Sequence, residues 1–194
     1  MTEADLKLIH SGDIGVFAGK STVSKLIIHY MKEYRDNGKF NIDKGIIELL
    51  NGFVPSHLAT FFWIDRQLYL FGSIESGFKP ILFKDHMYDY TSFMIIRKSG
   101  YTIEKVSKGL KYAMTSTGKS SIYPYWRLPL WIVYTKTGWK WPMSWGGDKA
   151  MECYKSTYEI LREVFPEEYT NNSLYASCYD SIKATDEIVF DNRV

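Results

Sequence analysis

The chain has 194 residues, 45% of them hydrophobic and 16% aromatic, and its 24 basic and 22 acidic residues leave a formal net charge of +2. This composition excludes a natively disordered chain and is sufficient for a sizeable core. The charges are mixed along the sequence, which excludes the basic field of a nucleic-acid-binding protein, so we expect no nucleic-acid partner. No Pro/Gly/Ser-rich linker interrupts the sequence, which predicts a single domain over residues 1–194.

The cysteine content and the first residues bear on the compartment. Cys153 and Cys178 are too few for a disulfide framework, which predicts free thiols. Residues 1–9 mix charged and apolar side chains instead of a basic start and an unbroken apolar run, so no secretory signal is predicted. The longest apolar stretches are far shorter than a membrane span. We therefore expect a cytoplasmic protein, or a phage protein delivered by lysis or injection.

The first half of the chain alternates turn signals with periodic apolar segments. A strand is predicted over Ile14–Phe17, then a helix that Ser21 caps and Asn37-Gly38 closes, and a second helix from Ile42-Asp43 to Asn51-Gly52. A β-hairpin follows, with strands His57–Ile64 and Gln67–Ser73 joined by the turn Asp65-Arg66. Two more strands are predicted over Gly77–Phe83 and Thr91–Arg97.

The second half is predicted to be mainly helical and irregular. An amphipathic helix begins at Thr102 and ends by Gly118, and a helix from about Lys149 to Val164 has Asp148 as its N-cap. Between them, Tyr123–Trp145 predicts a loop-rich wall with a short element near Leu130–Tyr134, and Ile188–Phe190 predicts an edge strand. The aromatic residues of the wall could form a stacking platform for a sugar or an acyl chain, or a core packed over loops. These patterns together indicate an α+β fold.

Thiol chemistry needs an activated cysteine and an imidazole that takes its proton. Cys153 falls in the first turns of the last predicted helix, where the helix dipole lowers a thiol pKa. His57 begins a strand after Pro55-Ser56, from which its ring can project into a cleft. Either residue could also be purely structural, and Cys178, which could begin a short helix, is a competing nucleophile.

Other kinds of site are not indicated. His10, His29 and His86 form no metal-ligand spacing with the cysteines, so no metal is predicted. The glycines of Gly12–Gly19 match neither phosphate-binding order, and Gly19-Lys20-Ser21 lacks the partner glycine of a P-loop. We therefore expect no nucleotide and no cofactor.

Five short segments occur in a fixed order along the chain: Gly12–Phe17, Val23–Ile27, Pro55–Ala59, Cys153–Tyr158 and Ser173–Ser177. In this order they resemble the permuted NlpC-like branch of the papain fold, in which the catalytic histidine precedes the cysteine. That branch typically reads Gly-Asp-Ile-hydrophobic-Phe at its start, Ser-His-hydrophobic-Gly on the histidine strand and Cys-Ser-Glu-Phe-Val on a late helix. The resemblance spans most of the chain, and each motif is short.

The resemblance implies a papain-like fold in which a small antiparallel sheet holding His57 packs against the helix holding Cys153. It implies His57 as the base and Cys153 as the nucleophile of an acyl-enzyme mechanism. The chain departs from the family at Ala59, where glycine is common, and at Tyr154 and Lys155, which replace Ser-Glu after the cysteine.

The family's third polar residue lies on the strand after the histidine strand, where this chain has Gly72-Ser73. Glu75 is the nearest carboxylate. A two-residue hairpin turn pairs Ile74 with His57 and points Glu75 to the other face, whereas a longer loop or a bulge would bring Glu75 beside His57. Glu75 is therefore the candidate for the third catalytic residue.

The expected function is a cysteine peptidase or amidase acting on a peptide, amide or acyl-ester substrate, with the peptides of peptidoglycan as the leading class. One alternative is a lipid-ester hydrolase or acyltransferase, as in relatives similar to lecithin:retinol acyltransferase, and its mark would be a deep apolar groove. The other is a catalytically inactive binding or assembly protein of a phage or bacterium, which the lack of a polar residue at Gly72 favours.

Overall fold

The strands and helices are seen in a computed structural model that describes residues 1–74, 76–118, 126–139 and 152–193. Within these residues the α-helices are α1 (Glu3–Leu6), α2 (Thr22–Asp36), α3 (Lys44–Leu50), α4 (Phe83–His86), α5 (Ile103–Ser116), α6 (Arg127–Thr137) and α7 (Cys153–Val164). The strands are β1 (Ile14–Gly19), β2 (His57–Ile64), β3 (Gln67–Ile74), β4 (Gly77–Leu82), β5 (Tyr90–Arg97) and β6 (Glu187–Asp191). Short 3-10 helices cover Met87–Asp89, Ser173–Tyr175 and Cys178–Ser181. The chain is α+β, as predicted.

The strands form one antiparallel sheet in the order β4-β3-β2-β1-β5-β6. The hairpin of β2 and β3 pairs Thr60 with Phe71 and Ile64 with Gln67, which confirms the predicted two-residue turn. Asp65 and Arg66 make this turn with positive φ angles of 49° and 62°, as a type I′ turn requires. The predicted edge strand is confirmed as part of β6, which pairs with β5.

One face of the sheet packs against α7. Val16, Leu58 and Met94 from three adjacent strands share a buried cluster with Tyr158 and Leu161 of the helix. Side chains alternate between the faces of a strand, so the neighbouring residues point to the opposite side. This cluster holds the first turn of α7 close to the start of β2.

The opposite face forms a second buried cluster, which includes Phe17, Ala59, Phe93 and Phe83 of α4. His57 is on this face because it pairs with Phe17 of β1. The two central strands β1 and β2 are therefore covered on both sides, and His57 stands at the end of one of them.

Three predicted helix starts are confirmed. The side chains of Ser21, Asp43 and Thr102 each accept a hydrogen bond from a first-turn backbone N–H of α2, α3 and α5 respectively. Such caps satisfy N–H groups that have no partner within the helix. In α2 the cap fixes a helix start that faces His57 across a pocket.

Two predictions need correction. Within the predicted loop-rich wall, the short element expected near Leu130–Tyr134 is longer, an 11-residue helix over α6. Its Pro129 lies in the first turn, where a missing N–H breaks no helical bond. The last helix begins at Cys153 with Glu152 as its N-cap, whereas Asp148, predicted as the cap, lies outside the described residues, as do 119–125 and 140–151. Of the described helices, none is both long and apolar enough to span a membrane.

Candidate functional site

Cys153 is the first residue of α7. Its Sγ lies 3.9 Å from the carbonyl oxygen of Ser56, the residue directly before His57. The side chain is 2% exposed. A thiol at the start of a 12-residue helix is next to the positive end of the helix dipole, which favours the thiolate. The structure thus brings the predicted nucleophile to the beginning of the strand that carries the predicted base.

His57 is the first residue of β2 and is half-buried. Its ring centroid lies 6.0 Å from that of Phe17 and 6.2 Å from that of Tyr90. Burial among these rings lowers the pKa of the imidazole to about 4, because desolvation penalises the charged form. His57 is therefore neutral near pH 7, the form that can accept a proton.

Gly72 explains how the imidazole fits beside β3. A Cβ at this position would lie 3.2 Å from Nε2 of His57 and 3.0 Å from the Cβ of Ala59. Such contacts are tight, so glycine leaves the space that the imidazole uses. The family places its third polar residue at about this position, where a side chain would press on the base.

The predicted third residue, Glu75, lies outside the described residues. The observed hairpin register, continued from Thr60 and Phe71, pairs His57 with Ile74, as the two-residue turn predicted. Ser73 is 1% exposed, and its hydroxyl finds no hydrogen-bond partner among the described residues. The residue that orients the imidazole therefore stays a prediction.

A pocket of about 550 Å³ opens in front of His57. It is lined by the first turn of α2, by Ser56, Ser73 and Ile74, and by Tyr90. Its walls carry hydroxyl groups and backbone as well as apolar side chains. The Ser56 hydroxyl accepts a hydrogen bond of 2.9 Å from the backbone N–H of Gly19, which ties the start of β2 to the end of β1. The imidazole thus faces a cleft large enough for part of a small substrate.

Cys178, the competing nucleophile, begins a 3-10 helix that Ser177 and Asp180 cap. It is fully buried. Burial, and then the neighbouring Asp180, raise the pKa of this thiol well above its ordinary value. Its surroundings therefore oppose a thiolate, in contrast to a thiol at the start of a long helix.

A charged group beside Cys153 was missed by sequence reasoning. Glu152, directly before the cysteine, forms an ion pair of 2.9 Å with Arg127, whose side chain is 1% exposed. Lys155, in the first turn of α7, is also buried. Arg127 lies in the segment predicted as irregular, and no spacing rule connects it to Glu152.

A narrow apolar slot lies on the other side of Cys153. It has about 30 Å³ of free space and is lined by α2, by α6 and by Glu152 and Tyr154 on either side of the cysteine. Ile27 lines both this slot and the pocket in front of His57. The two concavities are therefore neighbours.

The aromatic segment contributes to the core where it is described. Trp131 and Tyr134 of α6 stack near Tyr34 of α2, and all three are buried. Trp126 and Trp139 are about half exposed to solvent, at 48% and 56%. Trp131 and Tyr134 therefore belong to the hydrophobic core, which was one of the two interpretations of this aromatic segment. Tyr123, Tyr125, Trp141 and Trp145 lie outside the described residues.

No protein-family model and no curated protein matches the chain. Among solved structures, the fold is similar to the crystal structure of the metalloprotein YiiX from Escherichia coli O157:H7, a DUF1105 protein. The TM-score is 0.50 at 14% sequence identity, and the match covers 81% of this chain and 67% of that one. At this identity the likeness concerns the fold alone.

The description of YiiX as a metalloprotein prompts a test of the residues present here. Among the described residues, no group of three or more His, Cys, Asp and Glu side chains could hold a metal ion. His29 and His86 instead lie beside Glu33 and Asp89, at 3.6 and 2.8 Å. The part of the chain that the structure describes therefore does not fit a metal centre.

Proposed function

We propose that this protein is a thiol hydrolase, a cysteine peptidase or amidase with Cys153 as nucleophile and His57 as base. One observation carries the proposal: the start of α7 places the Cys153 Sγ 3.9 Å from the backbone oxygen that precedes His57. Cys153 and His57 are 96 positions apart in the sequence, and the thiol contacts the residue directly before the histidine. A papain-like fold of the permuted NlpC type is proposed with it, since the order of histidine and cysteine is the one that this resemblance implies.

The mechanism follows from the two side chains. His57, neutral at pH 7, takes the thiol proton of Cys153 as the sulfur attacks a substrate carbonyl carbon. The positive end of α7 stabilises the oxyanion that forms. The tetrahedral intermediate then breaks the bond to the leaving amine or alcohol, which receives the proton from His57. Water, deprotonated by His57, releases the acid and regenerates the thiol.

The low pKa of His57 favours a particular version of this mechanism. An imidazole with a pKa of about 4 does not hold a preformed imidazolium beside a thiolate at neutral pH. The proton therefore moves during attack, as in general-base catalysis, and no resting ion pair is needed. Peptide amides, including those of peptidoglycan, are the proposed substrates.

A second candidate is a hydrolase or acyltransferase of lipid esters with the same nucleophile and base. The slot beside Glu152 and Tyr154, whose lining is largely apolar, favours it. The slot is lined by the two sequence neighbours of Cys153, so an acyl group bound there would lie close to the start of α7. Hydrolysis of p-nitrophenyl esters of increasing chain length, measured beside an amide series, separates the two candidates.

The deciding experiment is alkylation by iodoacetamide at pH 7.5, followed by peptide mass spectrometry that reads both cysteines in one sample. We expect Cys153 to react at least about tenfold faster than Cys178, because Cys153 begins a 12-residue α-helix beside the start of the strand that carries His57, whereas Cys178 begins only a short 3-10 helix next to Asp180. The variant His57→Gln should slow Cys153 and leave Cys178 unchanged. Cys153→Ser should abolish hydrolysis of any substrate found.

The two buried thiols are a matched pair, since each is at most 2% exposed. Equal rates at the two cysteines, with no effect of His57→Gln, would refute the hydrolase. The binding or assembly protein would then be the better interpretation.

A further inference from the structure

The ion pair between Arg127 and Glu152 joins the first residue of α6 to the N-cap of α7. A positive side chain at a helix start is unfavourable with the dipole of that helix, so α6 gains nothing from Arg127 there. Taking both charges out of water also costs stability, and apolar residues would often serve as well. The position of the pair therefore calls for a reason other than stability.

The reason we infer is the effect that an unpaired Glu152 carboxylate would have on Cys153. Its carboxylate is one residue from Cys153, and an unpaired negative charge at this distance opposes formation of a thiolate. Arg127 and Lys155 both act to keep the pKa of Glu152 down against the larger effect of burial, which raises it. Two buried cations, Arg127 of α6 and Lys155 of α7, thus act on the one carboxylate at the start of α7.

Among the described residues, the other titratable groups around Cys153 supply little charge near neutral pH, with the exception of Asp180. His57 is neutral there, and burial raises the pKa values of Tyr90 and Cys178. Asp180 is an anion on the Cys178 side and is held by the backbone N–H and hydroxyl of Ser177. The charge that Cys153 experiences from α6 and α7 is therefore set mainly by Arg127, Glu152 and Lys155.

We propose that Arg127 is a positioning residue that holds and neutralises Glu152, and thereby keeps Cys153 reactive. This rests on the proposed function, since it concerns the same nucleophile. Arg127 itself need not touch a substrate. Its guanidinium acts through Glu152 and through the charge at the first turn of α7.

The test is the pH profile of Cys153 alkylation by iodoacetamide, from pH 5 to 10, read by peptide mass spectrometry. Glu152→Gln keeps the shape of the side chain and removes its negative charge. The pH profile of Cys153 alkylation should therefore shift to lower pH by about one unit. Arg127→Gln removes the ion-pair partner of Glu152 and leaves only Lys155 to offset the carboxylate, so the profile should shift to higher pH. The double variant, which removes both charges, should return close to the wild-type profile.

Shifts of opposite sign in the two single variants indicate an effect of charge. If the substitutions merely disturbed the fold, both single variants would shift the pH profile in the same direction. Lys98→Gln, which breaks another buried ion pair, with Asp186, is the matched control and should leave the Cys153 profile unchanged. Arg127→Lys should restore most of the wild-type profile.

Shifts of the same sign in both single variants, or no shift in either, would overturn this proposal while leaving a reactive Cys153 intact. A Cys153 that fails to react faster than Cys178 in the wild type would instead overturn the proposed function. The two failures are therefore separate observations.

Discussion

His57 makes the stability of the fold depend on pH. Its imidazole has a pKa of about 4 in the folded chain against an ordinary value of 6.5. Between these values the unfolded chain binds more protons, so each step toward acid favours unfolding. The contribution of His57 is complete above pH 6.5 and is lost as the pH falls to about 4.

We expect the free energy of unfolding to fall by about 2–3 kcal/mol over this window on account of His57. Urea unfolding at pH 7, 6, 5 and 4 measures it. In His57→Gln the free energy of unfolding should fall less steeply with decreasing pH. Subtracting its curve from that of the wild type removes the contributions of carboxylates such as Glu152 and Asp186, which both proteins share. A His57→Gln slope equal to that of the wild type would contradict the prediction.

For individual residues, the sequence predicted the candidate nucleophile and base but not the side chains around them. Cys153 and His57 stood out by residue type and by their predicted places on a helix and a strand. The pair Arg127–Glu152 gave no signal, because it joins residues on two helices, one of which was predicted as irregular. The orienting residue also stays open, since Glu75 lies outside the described residues.

The hairpin of β2 and β3 sets the register that orients His57, and its turn is strained. Arg66 has a φ angle of 62°, in a region that costs an L-residue with a side chain about 1 kcal/mol. Arg66→Gly should therefore raise the free energy of unfolding by up to about 1 kcal/mol, because a type I′ turn prefers glycine there. Chemical denaturation measures the change.

Lys111→Gly supplies the control for that measurement. Lys111 is exposed within α5, where glycine should instead lower stability by about 1 kcal/mol. If both glycine substitutions lowered the free energy of unfolding, the turn would not be strained.

The elements were predicted well where a strong local rule applied. Two runs of apolar, aromatic and β-favouring residues joined by the Asp65-Arg66 turn gave the hairpin, and the side chains of Ser21, Asp43 and Thr102 gave three helix starts. Prediction gave only a short element near Leu130–Tyr134 within α6, because the aromatic residues of this segment follow no clear apolar period and Pro129 suggested a loop. It also missed the short α4, since the run after Gly77 was predicted as strand up to Phe83.

At the scale of the whole molecule, a second buried ion pair connects the C-terminal segment to the sheet. Lys98 follows β5, and its ammonium lies 3.0 Å from Asp186, just before β6; both side chains are 2% exposed. The ammonium also lies 5.2 Å from the ring centre of Tyr169. Burial lowers the pKa of Lys98 and raises that of Asp186, although each opposes the change in the other.

Asp186→Ala should lower the free energy of unfolding by about 3 kcal/mol or more, because it leaves a buried cation without its partner. The double variant Lys98→Met with Asp186→Leu removes both charges and should recover most of that loss. Thermal and urea unfolding measure both. A double variant as unstable as the single one would show that packing, not charge, holds the segment.

Ser56 and Cys153 are 97 positions apart, and this separation sets the order in which the two parts of the candidate site become available during translation. Chains emerge from the N-terminus, so the strands β1 to β5 are available to pair before α7 has been translated. Until then the sheet face of Val16, Leu58 and Met94 lacks the helix that covers it, and the nascent chain needs protection from aggregation. The imidazole is made early and the thiol late, so a nascent chain cannot attack its neighbours through Cys153 until the covering helix is made.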